Sequence, residues 1–379
     1  MGKYDGSQDV LRAIVNDGFA KGANCLVYRD GKEEYYGQCG EISRESICHL
    51  YSASKPVTSA GFMLAFERGL IDLMDPVSRY LPGFKNQKYC RGDELVPVSR
   101  EVTIKDLLNM QSGLVYPGDG DLAEKCMDRL FQDIENKVGT EEEYTTNQIA
   151  NMIGQSPLAF DPGRHWRYGL SADILGAVIE VVTGETFGEF LQRNLFDPLG
   201  MKDTGFFVPK EKRARMLRVY DMQDGKLCEY HENHLGINID MNKKPLFESG
   251  GAGLVGTIDD YLNFAKMLLD GGRFENKQIL GSNTVKFMTS GRLHNAIKDD
   301  LLSWSGLDGF QYGNLLRIAV DPGLCMYNAP KGAYGWDGWL GCYFMNIPSE
   351  NACVLIFMQR TGAGISEYTR RMINQIMSV

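Results

Sequence analysis

A serine and a lysine three residues apart form the part of the sequence with the clearest chemical use. Ser52 and Lys55 make an S-x-x-K motif just ahead of an apolar run from Gly61 to Leu70 that is typical of a buried helix. Residues three apart share one helix face, so the lysine amine can lie beside the serine hydroxyl and accept its proton. Burial and the positive end of the helix dipole both favour the neutral amine that this step requires. Chance produces many S-x-x-K sequences, so the motif alone does not establish a site.

Two later segments carry further residues that could belong to such a site. Tyr168 stands between a Pro-Gly turn and a predicted helix whose N-cap we assign to Ser171. Further on, Trp336-Asp337-Gly338 opens the predicted penultimate strand, with a glycine where a backbone must come close to a ligand. These residues are far apart in sequence, so the fold has to bring them to the serine and the lysine.

The two ends of the chain predict the same kind of structure, namely antiparallel strands covered by a helix. Apolar residues at helical spacing predict a helix around Val10 to Val15, and Asp30-Gly31 is a preferred tight-turn pair between two apolar runs. The elements predicted at the other end are two strands and an amphipathic helix: Gly341 to Ile347, Ala352 to Met358 and Ile365 to Met377. The strands of both ends can form one sheet.

The middle of the chain is predicted to be mostly helical. Thr186 with Glu189, and Thr257 with Asp260, resemble capping boxes at helix starts. The predicted class is α/β (α+β), with an antiparallel sheet built from both termini, flanking helices and an inserted, mostly helical subdomain. We assign residues 1–60 and 245–379 to the sheet subdomain and residues 61–244 to the helical subdomain, and we expect the active site between them.

Composition and charge argue against several functional classes. The chain has 379 residues, 43% hydrophobic side chains and a net charge of -9, and it has no basic cluster that would indicate nucleic-acid binding. It also has no apolar run of about 18 residues and no secretory leader, so we expect no membrane segment and a cytoplasmic location. The nine cysteines are scattered, and the segment from His231 to His234 is one residue short of a zinc motif. We expect reduced thiols, no metal and no cofactor.

Further motifs follow one another in order through most of the chain. They include Leu73-Met74-Asp75-Pro76, Leu107-Leu108, Ser112-Gly113-Leu114, Asp161-Pro162-Gly163, Pro198-Leu199-Gly200-Met201 and Gly250-Gly251-Ala252-Gly253-Leu254. In this order the chain resembles the serine β-lactamase and penicillin-binding-protein superfamily, in its class C-like branch, over residues 43–272 and 335–358. Its motifs are most similar to those of the family VIII esterases. The resemblance implies a β-lactamase/transpeptidase-like fold.

The same resemblance implies roles for individual residues. Ser52 would be the acylated nucleophile, Lys55 its first base, and Tyr168 the phenol that passes protons between the serine, the lysine and the leaving group. The backbone N–H groups of Ser52 and Trp339 would form the oxyanion hole, where one donor contributes roughly 100- to 1,000-fold in rate. Tyrosine therefore takes the place of the second serine motif that other branches use.

Two departures from the family pattern bear on the substrate. Leu170 stands where the lactamases have the asparagine of Y-x-N, and Trp336-Asp337-Gly338 replaces their K-T-G. A substrate pocket made by these residues, with Tyr116 as a second aromatic contact, offers no cation for a substrate carboxylate. We therefore expect poor recognition of β-lactams and of D-Ala-D-Ala peptides.

These features predict a serine hydrolase that acts through an acyl-enzyme, as a carboxylesterase or acyltransferase for small or apolar acyl esters. The predicted partner is a small-molecule ester or amide, and no oligomeric state follows from the sequence. One alternative is a D-amino-acid peptidase, a D-Ala-D-Ala carboxypeptidase or a weak β-lactamase. A second is a non-catalytic binding protein on this fold, although such a protein has no chemical need for Ser52, Lys55 and Tyr168 together.

Overall fold

The computed structural model describes residues 2–304 and 306–379, which form helices and strands along the whole chain. The α-helices are α1 Asp5–Asn16, α2 Ser54–Glu67, α3 Ile104–Leu108, α4 Leu122–Lys137, α5 Thr146–Gln155, α6 Ser171–Thr183, α7 Phe187–Leu191, α8 Asp197–Leu199, α9 Ile258–Leu269, α10 Ser282–Met288 and α11 Glu367–Ile376. The strands are β1 Gly22–Arg29, β2 Lys32–Gly40, β3 Cys48–His49, β4 Lys88–Arg91, β5 Glu94–Pro97, β6 Tyr220–Gln223, β7 Lys226–Glu229, β8 Val255–Gly256, β9 Arg273–Phe274, β10 Lys277–Gln278, β11 Phe310–Gly313, β12 Leu316–Ala319, β13 Tyr334–Asp337, β14 Tyr343–Ile347 and β15 Ala352–Met358.

Strands from both ends of the chain form one seven-stranded sheet in the order β11-β12-β13-β14-β15-β1-β2. Every pairing in it is antiparallel, and β1 lies between β2 and β15. All residues of β15 are buried, as a strand covered on both faces requires, and its sequence is accordingly apolar throughout. The predicted sheet of antiparallel strands from the two termini is confirmed.

The hairpin between β1 and β2 turns at the predicted pair. Asp30 has φ +49° and Gly31 has φ +83°, so both residues adopt the left-handed backbone of a tight hairpin turn. At the other end, β15 has the predicted bounds, whereas β14 begins at Tyr343 because the preceding residues form a turn. The local turn chemistry was thus readable from the sequence, and the bounds of the last two strands were readable to within about two residues.

Helices cover the sheet and the site. Helix α1 contacts α11 and the strands β1 and β2, while α9 contacts β14 and β15. Helix α2 contacts β13 and α6, and its residues from Ser54 to Ala65 are all buried. A helix that is buried all round belongs at the centre of the protein. The lysine of the S-x-x-K motif is therefore carried by the central helix.

One of the two predicted capping boxes is complete. Thr186 and Glu189 satisfy each other's backbone N–H groups at the start of α7. The Thr257 side chain accepts from the Asp260 N–H at the start of α9. The Asp260 carboxylate instead accepts from the N–H of Asp203 at 2.7 Å, because a tertiary partner is available to it. The second cap therefore has the hydrogen bond to the Thr257 side chain but lacks the reciprocal one to the Asp260 side chain.

The predicted N-cap of α6 differs from the observed one. Leu170 occupies the N-cap position and makes no side-chain cap, so Ser171 is the first helical residue. The Ser171 hydroxyl lies 2.9 Å from the hydroxyl of Ser112 and is used for that contact. The prediction was wrong because a long-range partner competes for a side chain that local pattern assigns to the backbone.

Within the described residues, no helix combines the length and the apolar character needed to cross a bilayer. The nine cysteines carry free thiols. The division into a sheet subdomain (1–60 and 245–379) and a helical subdomain (61–244) stays a prediction.

Candidate active site

Ser52 lies in a short 3-10 turn, Tyr51–Ala53, between β3 and α2. Strand β3 pairs with β8, and the Leu50 N–H donates to the Leu254 carbonyl at 2.9 Å, which fixes how the chain enters the turn. Tyr51 has φ +46°, a left-handed conformation that costs a non-glycine residue roughly 1–2 kcal/mol. Its ring packs against His234 and Trp339, with centroids 5.6 and 5.0 Å away. Packing therefore holds the serine on a strained turn, which is a common property of functional sites.

The Lys55 amine is surrounded by three oxygen atoms. Its Nζ lies 3.1 Å from Ser52 Oγ, 2.9 Å from Tyr116 Oη and 2.8 Å from the Gly251 carbonyl oxygen. A neutral amine has two N–H donors and one lone pair. If the two N–H groups donate to Gly251 and Tyr116, the lone pair faces Ser52, whose hydroxyl then donates to it. This is the arrangement that removes the proton from a serine nucleophile.

Burial adjusts the charge of this amine. Lys55 has no solvent exposure, and desolvation lowers its pKa from the ordinary value of 10.5 to about 7. The negative charges of Asp173 and Asp337 act in the opposite direction and limit the shift. Near neutral pH a large fraction of Lys55 is therefore the free amine that can act as a base.

Asp173 fixes the loop that carries the Gly251 carbonyl. Its carboxylate accepts from the Ser249 hydroxyl at 2.5 Å and from the Gly251 N–H at 3.1 Å. Burial raises the pKa of Asp173, while the nearby Lys55 amine opposes that change. The aspartate therefore both orients an oxygen on the lysine and contributes charge beside it.

Tyr116 and Tyr168 meet because their two loops approach very closely. A Cβ on Gly169 would lie 2.3 Å from the Leu114 carbonyl oxygen, so only glycine permits this contact. The two phenol rings stand edge to face with centroids 5.6 Å apart. The Tyr168 hydroxyl accepts a 2.8 Å hydrogen bond from Trp336 Nε1. Burial raises the pKa of both tyrosines, so each phenol keeps a proton to donate near neutral pH.

A second close approach brings β13 onto the turn that carries the serine. Trp336 and Asp337 end this strand, which is the third from last, so the prediction that they open the penultimate strand was wrong. A Cβ on Gly338 would lie 2.1 Å from the Leu50 carbonyl oxygen, so the glycine lets the end of the strand reach the turn. The next residue, Trp339, has a backbone N–H without a protein acceptor among the described residues. That N–H is therefore available to a ligand, although its pairing with the Ser52 N–H as an oxyanion hole stays a prediction.

A cavity of about 500 Å³ opens above Ser52. Its walls are formed by Tyr51, Ser52, Tyr116, Pro117, Asp128, Phe131, Gln132, Glu135, Tyr168, His234, Leu235, Trp304, Trp336, Asp337, Trp339, Gly362 and Gly364. Lys55 lies just beneath them with its amine on Ser52. Two predicted contacts are not among the lining residues: Gly338 packs against Leu50, and Leu170, 1% exposed, belongs to the apolar core.

Sequence reasoning missed the wall contributed by α4. Asp128, Phe131 and Glu135 lie along this helix and line the cavity. The buried positions Met127, Phe131 and Ile134 gave a signal for one packed face, but the acidic face had the pattern of a solvated surface. Sequence alone does not separate a polar face towards water from one towards a water-filled cavity.

Asp337 has a partner that the sequence did not reveal. Its Oδ1 accepts from the guanidinium of Arg317, a side chain only 2% exposed. Arg317 also lies over the rings of Trp336 and Tyr343, with centroids 5.3 and 5.0 Å from its Cζ. The two partners differ in exposure: Arg317 is enclosed, whereas the Asp337 side chain lines the cavity and keeps 20% of its surface accessible.

Known proteins with the same features were found by sequence and by structure. Residues 8–375 match the family model described as beta-lactamase. Esterase EstB of Burkholderia gladioli is 31% identical over 264 residues, which are 64% of this chain and 64% of EstB. The solved structure of EstCE1, a hydrolase with promiscuous acyltransferase activity, has a TM-score of 0.82 and 23% identity, covering 99% of this chain and 98% of its own. Unliganded simvastatin synthase from Aspergillus terreus, as the selenomethionyl derivative, has a TM-score of 0.81 and 23% identity, covering 100% and 98%. The two structures demonstrate the same β-lactamase/transpeptidase-like fold.

Proposed function

The chain belongs to the beta-lactamase family and is a serine hydrolase, and from that premise we propose that it is a carboxylesterase or acyltransferase that forms an acyl-enzyme on Ser52. The observation that carries the proposal is the contact of 3.1 Å between the buried Lys55 amine and the Ser52 hydroxyl, at the floor of an aromatic cavity. EstB is named an esterase, and EstCE1, named a hydrolase with promiscuous acyltransferase activity, supports acyl transfer as a second outcome.

The first half of the reaction follows from these contacts. Neutral Lys55 takes the proton of Ser52, and the serine oxygen forms a bond to the ester carbonyl carbon, whose π electrons move to the oxygen. The N–H groups of Ser52 and Trp339 would stabilise that oxyanion. As the intermediate collapses, the bond to the alcohol oxygen breaks and the departing oxygen takes a proton from Tyr168, which recovers one from Lys55. An acyl-serine and a free alcohol result.

The second half repeats the same steps with a new nucleophile. Water or another alcohol loses its proton to the phenol and lysine pair and attacks the acyl carbon, and Ser52 leaves with a proton returned to its oxygen. Water gives hydrolysis and an alcohol gives acyl transfer. Which acceptor dominates depends on the occupant of the cavity above Ser52, because both react with the same intermediate.

Labelling with a reactive phosphonate ester tests the nucleophile. We expect one phosphonyl group on Ser52, because its oxygen displaces the aryloxide from phosphorus as it would displace an alcohol from an ester. Intact-mass measurement and peptide mapping locate the label. Ser54 provides a matched control two residues away, since it is fully buried and accepts from the Leu254 N–H at 3.2 Å.

The two serine variants should therefore behave in opposite ways. Ser52→Ala should prevent labelling and turnover, whereas Ser54→Ala should still be labelled. A label that maps to a serine other than Ser52 in the wild-type protein would refute the proposed acyl-enzyme.

Substrate preference separates the esterase from a β-lactamase or a D-alanyl peptidase. Short-chain p-nitrophenyl esters should have a kcat/KM at least about 100-fold above that of nitrocefin or a D-Ala-D-Ala peptide. Among the described residues, the cavity lining contains Asp337 and no lysine or arginine, so a substrate carboxylate loses charge-assisted hydrogen bonds worth about 1.5–3 kcal/mol each. Equal efficiency with nitrocefin, measured on the same preparation, would contradict the ester preference and would require a cation such as Arg317 or Arg292 to turn towards the substrate.

A further inference from the structure

Eight of the seventeen residues that line the cavity above Ser52 carry aromatic rings. They belong to Tyr51, Tyr116, Phe131, Tyr168, His234, Trp304, Trp336 and Trp339. Several of these rings contact one another: His234 stacks on Trp339 with centroids 4.0 Å apart, and Trp304 is tilted against Tyr168 with centroids 4.5 Å apart. Burial lowers the pKa of His234 to about 4, so this ring is neutral near pH 7. The wall therefore presents neutral π faces and edges, which attract a positively charged group as well as apolar ones.

The charged side chains of the same wall have one sign. Asp128, Glu135 and Asp337 line the cavity, and the described lining has no lysine or arginine. Neither Asp128 nor Glu135 has a basic partner within 4 Å among the described residues. The Glu135 carboxylate accepts from the Leu235 N–H at 2.9 Å, and Asp128 accepts from the Gln132 amide at 2.6 Å. Both carboxylates therefore accept from neutral donors and not from a cation. Burial raises the pKa of Glu135, and the hydrogen bonds from the Leu235 and Gly236 N–H groups oppose that change.

Asp337, at the end of β13, adds a third carboxylate to the cavity lining. Arg317 binds its Oδ1 from behind, and Oδ2 accepts no hydrogen bond from the described residues. The guanidinium binds one oxygen of this carboxylate and fixes its direction. One oxygen is thus presented to the cavity on a rigid strand.

Unlike the three carboxylates, the hydroxyl of the lining residue Tyr51 has no hydrogen-bond partner among the described residues. The Tyr51 hydroxyl is buried, and no described residue donates to it or accepts from it. Glu135 is close enough to raise the pKa of Tyr51 in addition to the larger effect of burial. The Tyr51 oxygen is enclosed and not open to the cavity, so the carboxylates are the acidic groups of this wall that a ligand can reach.

From this combination we propose that the preferred esters carry a positively charged nitrogen, held by the aromatic wall and by the carboxylates of Asp128, Glu135 and Asp337. This inference rests on the proposed function, because the ester must still acylate Ser52. A cation bound here also acts on the base, since positive charge near Lys55 disfavours its protonated form. The substrate would therefore help to produce the free amine that the first step consumes.

Two pairs of substrates that differ only in charge test the proposal. The first pair is butyrylthiocholine and its uncharged carbon isostere, the 3,3-dimethylbutyl thioester. The second pair carries the charge on the acyl side: the p-nitrophenyl esters of 4-(trimethylammonio)butanoic acid and of 5,5-dimethylhexanoic acid. We expect kcat/KM to be at least about tenfold higher for the cationic member of one pair, and the pair that responds identifies the side of the ester that lies against the acids.

Charge variants on α4 connect the preference to the wall. The double variant Asp128→Asn with Glu135→Gln keeps both acceptor oxygens and should lower the ratio of cationic to neutral kcat/KM at least about fivefold. Asp133→Asn is the matched control, because Asp133 lies on the same helix, is exposed and contacts Lys137 and Tyr144 instead of the cavity. It should leave the ratio unchanged.

The outcomes separate this inference from the proposed function. If the neutral esters are cleaved and neither cationic partner exceeds them by more than about twofold, the preference for cations is wrong and the esterase proposal stands. A preference that survives in the double variant would also overturn the assignment to this wall. If no ester in either pair is cleaved, the proposed function fails and takes the inference with it.

Discussion

Replacing Lys55 with alanine is expected to lower kcat for a p-nitrophenyl ester by about 100-fold or more, in line with the usual contribution of a general base. Nothing else among the described residues offers a base to Ser52: the amine is 3.1 Å from its hydroxyl, and the two neighbouring tyrosines keep their protons. Lys55→Met retains the volume and apolar length of the side chain, so it separates the missing amine from a packing defect. Both variants should be inactive to a similar degree.

The pH profile gives an independent check on the same group. Burial lowers the pKa of Lys55 to about 7, and the free amine is the active form. The kcat/KM of the wild-type protein should therefore fall about tenfold per pH unit below pH 7 and level off above it, since this parameter reports the free enzyme. Circular dichroism and thermal unfolding establish that the variants are folded. A folded Lys55→Met protein with turnover within about threefold of the wild type would remove the lysine from the mechanism.

The architecture was largely readable from the sequence because its signals are local. The turn at Asp30-Gly31 and the apolar run Ala352 to Met358 define two strand positions without reference to anything distant. Strands of both termini could be placed in one sheet because each end shows antiparallel strands with a covering helix. The caps failed where a distant group intervened, as Ser112 does at Ser171.

The candidate site was readable in part, for a related reason. Spacing on one helix predicted the contact between Ser52 and Lys55, which is a local property. The contact between Arg317 and Asp337 depends on the register of β12 and β13, in which Arg317 pairs with Gly335, two positions from the aspartate. Register is set by the packing of whole strands, so a single sequence does not reveal such a partner.

For Tyr116 the family pattern predicted an aromatic contact with substrate but not the contact of its hydroxyl with the Lys55 amine. Its position after Ser112-Gly113-Leu114 predicted an aromatic wall, and the structure adds a hydroxyl 2.9 Å from the Lys55 amine. Two phenols therefore stand beside one lysine. Burial raises the pKa of both, and a hydrogen bond with Ser52 opposes part of that rise in each case. The assignment of the proton relay to Tyr168 consequently needs a test that compares the two.

Tyr168→Phe is expected to lower kcat about 100-fold or more, and Tyr116→Phe only about tenfold. The difference follows from the hydrogen bonds of the two hydroxyls. Trp336 Nε1 can only donate, so the Tyr168 oxygen must accept from it, and the phenolic proton is left for the departing alcohol. The Tyr116 hydroxyl contacts the Lys55 amine and orients it. Its loss should mainly move the acid limb of the pH profile to lower pH, because the protonated amine loses an acceptor.

A variant of the donor and a series of leaving groups complete this comparison. Trp336→Phe keeps an aromatic ring in the wall but removes the N–H that fixes the Tyr168 oxygen, so its kcat should fall. The double variant Trp336→Phe with Tyr168→Phe should have the same kcat as Tyr168→Phe alone. If Tyr168 supplies the proton to the alcohol, its loss matters most for poor leaving groups. In Tyr168→Phe, activity on esters of alkyl alcohols should then fall more than activity on p-nitrophenyl esters. In Tyr116→Phe, activity on the two kinds of ester should fall by the same factor. A reversed order, with the leaving-group dependence found in Tyr116→Phe, would assign the proton relay to Tyr116 and leave Tyr168 as an aromatic contact held by Trp336.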